Sequence, residues 1–169
     1  ISYTVTLPNL VLIIISAFFF AYFANVTSLR SIELAPNPGY SLVISKSYVV
    51  FTTLISVLFL GGELSPKKLF AILLIIIFST LIVIDPTKTK SVQSNKWLAY
   101  TMYSFFGWGF LSLAIKYLSV QGMPTLAILT YLYIFVSLFI VIEKFYKKVT
   151  FSLDKSSLFY FLAMGIFSA

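Results

Sequence analysis

Residues 10–29 read LVLIIISAFFFAYFANVTSL, a run with no charge and no continuous polar face. As a helix rising about 1.5 Å per residue it matches the roughly 30 Å hydrocarbon core of a bilayer. A water-soluble domain breaks such runs with polar positions. Comparable runs follow at 40–60, 68–84, 97–118 and 123–143, and a sixth begins near 157 and reaches Ala169. The short links between them hold nearly all the charge. The pattern predicts an all-α, polytopic transmembrane helix bundle of about five and a half spans.

Composition narrows the chemistry. Charged residues make up 10% of the chain, against roughly 25% in a soluble domain, so little of the surface is built for water. Phe and Tyr are abundant, as suits lipid-facing surface and interface belts. There is no Cys and no His. That removes disulfides, thiol nucleophiles, thiolate metal sites and the easiest proton relay. No phosphate loop, metal-ligand cluster or nucleophile–base pair is present. An enzyme is therefore not expected, and neither is a metal or other cofactor. The net charge of +7 is spread over several links. There it sets topology and meets anionic headgroups, and nucleic acid is not an expected partner.

The links fix the span limits. Pro36 and Pro38 lack amide donors, so the first span, Leu10–Leu29, must end before them. Pro38-Gly39 opens the second span, Tyr40–Leu60, which Gly61-Gly62 closes in the manner of a helix C-terminus. Ser65 or Pro66 starts the third, Leu69–Ile84, which ends at Asp85-Pro86. The stretch 85–96 is the most polar of the chain and marks a boundary between two halves. Trp97–Leu118 and Thr125–Ile142 are the fourth and fifth spans, joined by a tight link around Gln121–Pro124. The chain starts at Ile1 and stops within an apolar run, which reads as an internal piece of a longer protein.

Three pieces carry a family resemblance: a span ending ANVTSLRSIELAP (24–36), the segment LFLGGELSPKK (58–68), and an apolar span ending LIVID (81–85). With WLAYTMYSFFGWGFLSLAIKYL (97–118), in this order, they resemble the EamA-type unit of the drug/metabolite transporter superfamily. Leu60-Gly61-Gly62-Glu63 stands where that unit has LGE, with one extra Gly. The resemblance implies an inverted-repeat transporter of about ten spans. Residues 1–86 would hold the last three spans of one repeat, 87–96 the inter-repeat link, and 97–169 the start of the next. It implies links 30–39 and 85–96 outside if two helices precede residue 1. The charge count disagrees. Arg30, Lys88, Lys90, Lys96, Lys144, Lys147, Lys148 and Lys155 share one side, against Lys67, Lys68 and Lys116 on the other, which places 30–39 and 85–96 in the cytoplasm.

Lys46 is the one charge inside the second span. A cation in hydrocarbon is costly, so it either lines a cavity that attracts an anionic or zwitterionic solute or snorkels to the headgroups. Ser41, Ser45, Tyr48, Thr52 and Ser56 recur at spacings that share one helix face. Tyr100, Ser104, Trp108 and Ser112 form a comparable face on the fourth span, with Gly107 and Gly109 allowing close backbone approach. Such stripes are either interhelical hydrogen bonds or a wet cavity. The candidate substrate-binding set is Lys46, Tyr48, Thr52, Tyr100, Ser104 and Trp108. All five acids, Glu33, Glu63, Asp85, Glu143 and Asp154, fall in links or at span ends. Nothing matches the intramembrane Glu of the small multidrug resistance proteins. Glu63 is expected to cap the third helix or pair with Lys67, and Arg30 to pair with Glu33.

The expected function is secondary transport of a small organic solute across the cell membrane by alternating access. The expected partners are that solute, membrane lipids and a second copy in a homodimer. A lipid-headgroup or lipid-linked-sugar translocase and a non-transporting scaffold subunit are the rivals.

Overall fold

The computed structural model describes residues 5–84 and 96–148. The sixth run, Asp85, Asp154 and most of the expected inter-repeat link lie outside the described residues. Within them, every regular element is helical: α1 (Leu7–Leu34), α2 (Pro38–Phe59), α3 (Pro66–Ile84), α4 (Lys96–Val120) and α5 (Thr125–Lys147). Four of these, α1, α2, α4 and α5, are long and apolar enough to cross a membrane. α3 carries the third apolar run over 19 residues and is not among those four. The chain divides into two compact units, residues 1–139 and 140–169.

Helices overrun their expected limits where polar residues tolerate helical geometry. α1 continues through Arg30 and Glu33 to Leu34, giving 28 residues and about 42 Å of length. That exceeds the roughly 30 Å bilayer core, and Arg30 and Glu33 lie in the last turns of the helix. Arg30 Nη1 meets Glu33 Oε2 at 3.0 Å, as the spacing predicts. Both side chains are exposed, so the pair adds little to stability. Ala35-Pro36 breaks the helix. The Asn37 side chain then accepts the Gly39 amide at 2.8 Å and caps α2, with Pro38 in its first turn.

Two irregularities lie inside spans. Residues Ser16–Tyr22 of α1 are π-helical, and the Phe23 amide reaches back to the Phe18 carbonyl. Three consecutive phenylalanines sit here. Phe18 packs on Phe139 and Phe20 on Phe110, with ring centroids 4.8 and 5.5 Å apart. The Tyr103 hydroxyl donates to the Phe19 carbonyl at 3.2 Å, so α4 satisfies a carbonyl of this widened turn. The second irregularity interrupts α2 at Ser47, whose hydroxyl donates to the Val43 carbonyl at 2.8 Å. Such back-bonding competes with the helical ladder and bends helices.

The centre of the first unit is α4. Ile13, Ala17 and Ala21 of α1 form a buried cluster with Leu111 and Leu118 of α4 and Ile128 and Leu132 of α5. Small residues let backbones meet, which is how helices gain packing energy where lipid offers no hydrophobic contrast. A Cβ on Gly107 would sit 2.7 Å from the Ala24 Cβ, and one on Gly109 would sit 2.7 Å from the Phe51 ring. The outer surfaces are apolar, with Leu58, Phe59, Phe70 and Leu126 all strongly exposed. In the second unit, the end of α5 carries a Glu143–Lys147 ion pair one turn apart.

α2 ends as its glycines predict. Gly61 adopts φ +62°, and the Gly62 amide bonds the Ser56 carbonyl at 2.9 Å. Nothing lies within 4 Å of a Cβ at Gly61, so Gly61→Ala carries only the backbone penalty of a left-handed residue. We expect a loss of about 1 kcal/mol, seen as a lower unfolding midpoint in an SDS titration. An unchanged midpoint would show that this turn relaxes on substitution.

Candidate functional site

The polar faces of α2 and α4 split into a sealed half and an open half. In the sealed half, Ser31, Ser41, Ser45, Thr101 and Ser104 are fully buried. Ser31 donates to the Ser28 carbonyl at 2.7 Å and also contacts the Ser41 hydroxyl. The Thr101 hydroxyl lies 3.2 Å from Ser41 Oγ and 2.8 Å from the Trp97 carbonyl. Ser104 donates across to the Ala24 carbonyl of α1 at 3.2 Å. Here hydroxyls tie α1, α2 and α4 together, each bond between helices worth about 0.6–1.7 kcal/mol in a membrane setting.

In the open half, the α2 residues that flank the Ser47 break lie against Trp108 of α4. Lys46 Nζ stands 4.8 Å from the centroid of the Trp108 ring. Tyr48 stacks on the same tryptophan, with centroids 6.4 Å apart and planes 22° apart. An ammonium over an indole face is held electrostatically by the ring quadrupole. Lys46 is exposed and remains able to meet a further ligand. Among the described residues the Trp108 indole nitrogen is buried without a hydrogen-bond partner.

Further along the groove, a cavity of about 320 Å³ opens between the ends of α2 and α4 and the α2–α3 link. Thr52, Ser56, Glu63, Lys68, Ser112 and Lys116 contribute to its wall. Lys116 Nζ donates to the Ser56 hydroxyl at 2.5 Å, and Lys68 Nζ donates to the Glu63 carbonyl at 2.8 Å. The expected roles of Glu63 are corrected here. Ser65 accepts the Lys68 amide at 3.4 Å at the start of α3, so Ser65 is the cap. Lys68 engages the Glu63 backbone carbonyl, and among the described residues the exposed Lys67 forms no ion pair with Glu63.

Of the sequence-predicted site residues, the structure brings Lys46, Tyr48 and Trp108 into one group and places Thr52 in the adjoining cavity. Ser104 is sealed against α1, and Tyr100 lies on an exposed surface of α4. Lys116 and Lys68 were not singled out from the sequence. Lys116 extends the series Ser104, Trp108, Ser112 by one more step of four, and that spacing was the available signal. No protein-family model matches the chain, and no curated protein or solved structure matches it.

Proposed function

We propose that the protein is a secondary transporter of the drug/metabolite type, moving a small anionic or zwitterionic organic solute by alternating access. The observation that carries this reading is the α2–α4 groove. It sets Lys46, Trp108 and Tyr48 beside a polar cavity in an otherwise apolar bundle. Charged groups inside spans are retained where they line a path or meet a partner. The break of α2 at Ser47, one residue from Lys46, agrees with it, because transporter sites commonly gather at interrupted helices. The resemblance of segments 24–36, 58–68, 81–85 and 97–118 to the EamA-type unit points the same way.

The test is flux. The protein in liposomes, preloaded with unlabelled solute, should take up labelled amino acids, organic acids or sugar phosphates saturably, well above protein-free vesicles. Absence of counterflow across the whole panel would sink the transport reading. The sealed serines favour a second reading, a membrane scaffold whose hydroxyls serve only as packing. That reading requires no flux for any solute, so the same assay separates the two.

A further inference from the structure

We propose that the cavity between α2, α4 and the α2–α3 link binds a phosphate group, carried by a small solute or by a lipid headgroup. The site shares a groove with the transport reading but does not need transport. Binding without flux would remove the one and keep the other.

Lys116 carries the argument. It lies in the last turns of a helix long and apolar enough to span a membrane, half-buried, and its partner is the neutral Ser56 hydroxyl. Among the described residues no carboxylate lies within ion-pair distance of it. A half-buried cation on a neutral partner is poorly compensated, and an anion beside it restores the balance. An ammonium has three donors, and Ser56 takes one of them. Lys68 reaches the same cavity, with one donor on the Glu63 carbonyl. Its place in the first turn of α3 is where the helix dipole disfavours a cation, so it too gains from a negative ligand.

The kind of anion follows from the donors. The cavity wall offers two ammonium groups and no guanidinium; the one Arg of the chain, Arg30, belongs to the end of α1. Two ammonium groups on one wall, with three donors each, suit a phosphate, whose several oxygens accept from more than one direction. The hydroxyls are adaptable. Thr52 donates to the Val49 carbonyl at 3.0 Å and Ser112 to the Trp108 carbonyl at 3.0 Å. Each turns about its Cβ–O bond to donate to a ligand oxygen. Glu63 on the same wall leaves a net charge of +1 among these side chains, which a phosphate monoanion neutralises. A volume of about 320 Å³ has room for a headgroup-sized ligand.

The test is protection of lysines in the intact protein in detergent, which needs no variant. An amine-reactive reagent is applied with and without glycerol phosphate, and modification is read by mass spectrometry. Glycerol phosphate should slow modification of Lys116 and Lys68 at least fivefold and leave Lys144 and Lys147 unchanged. Glycerol and glycerate at equal concentration should not protect. If glycerol phosphate fails, mixed micelles containing phosphatidic acid should protect where phosphatidylcholine of equal chain length protects less, and the phosphate is then that of a lipid. Protection by neither source, or equal protection by glycerate, overturns the proposal. In equilibrium binding, Lys116→Met should weaken the effective ligand at least tenfold, while Lys147→Met, at the exposed end of α5, leaves it within twofold. Equal loss in both variants would show that no site exists at Lys116.

Discussion

Gly107→Ala should unfold more easily than the wild type by about 1–3 kcal/mol, the range of overpacking in a close-packed interior. The added Cβ would stand 2.7 Å from the Ala24 Cβ, a distance that carbon atoms do not share. Ala24 has no further side chain to swing aside and is fully buried, so relief requires α1 and α4 to separate. That separation also stretches the bond from Ser104 to the Ala24 carbonyl and loosens the cluster of Ile13, Ala17, Ala21 and Leu111. Gly109→Ala provides the contrast. Its Cβ would meet the Phe51 ring at the same 2.7 Å, but a ring turns about its own side-chain bonds. We expect Gly109→Ala to cost less than half as much. Ala24→Gly with Gly107→Ala should regain most of the lost stability, because it removes the atom that clashes. An SDS or thermal titration of the four proteins checks the order. A Gly107→Ala protein as stable as the wild type would mean that α1 and α4 do not touch at this point.

The bundle was legible because its signal is the length of apolar runs, and length survives errors at helix ends. Each described span falls where a run was read, and the glycines at 61 and 62 end α2 as expected. Helix ends were less legible. Arg30 and Glu33 look like a link by polarity, yet they belong to α1, since both are good helix formers and pair one turn apart along it. The π-helical turn at Ser16–Tyr22 left no mark that hydrophobicity could show, because its contacts are tertiary: the Phe18 and Phe20 rings and the Phe19 carbonyl find partners on other helices. The Ser47 break is of the same kind: a serine is compatible with either geometry until its hydroxyl bonds Val43.

The candidate site was half legible, for a reason of helical geometry. Steps of four residues in a helix of 3.6 residues per turn rotate the stripe by about 40° each. From Tyr100 to Ser112 the drift totals about 120°, so one stripe on α4 faces different neighbours along its length. Ser104 faces α1 and Trp108 faces α2. The same drift carries the stripe on to Lys116 and the cavity. On α2, Ser41 and Ser45 are fully buried, while Thr52 and Ser56 line the cavity and Tyr48 stacks on Trp108. Reading polar residues as one set merged a packing seam with an open site.

The open site rests on Trp108, and its loss should be the largest functional effect. Trp108→Leu removes both the face under Lys46 and the ring on which Tyr48 stacks. A cation–π contact at an exposed site is worth about 0.5–1 kcal/mol and an aromatic pair about 0.5–1.5 kcal/mol, so losing both should lower solute counterflow by roughly tenfold. Trp108 also packs against the core cluster, and a leucine leaves space there. A fall in flux alone therefore does not distinguish a lost site from a loosened bundle. Trp108→Phe separates them. It retains an aromatic face and most of the volume, and should keep a third or more of the flux. Lys46→Met keeps the bundle intact and should lose as much flux as Trp108→Leu. The decisive comparison is the double variant. If Lys46 and Trp108 act as one unit, removing both costs little more than removing either, and the coupling is of order 1–2 kcal/mol. Independent losses that simply add would mean that Lys46 is an interface anchor, with its ammonium near Trp108 only because both lie on facing helices.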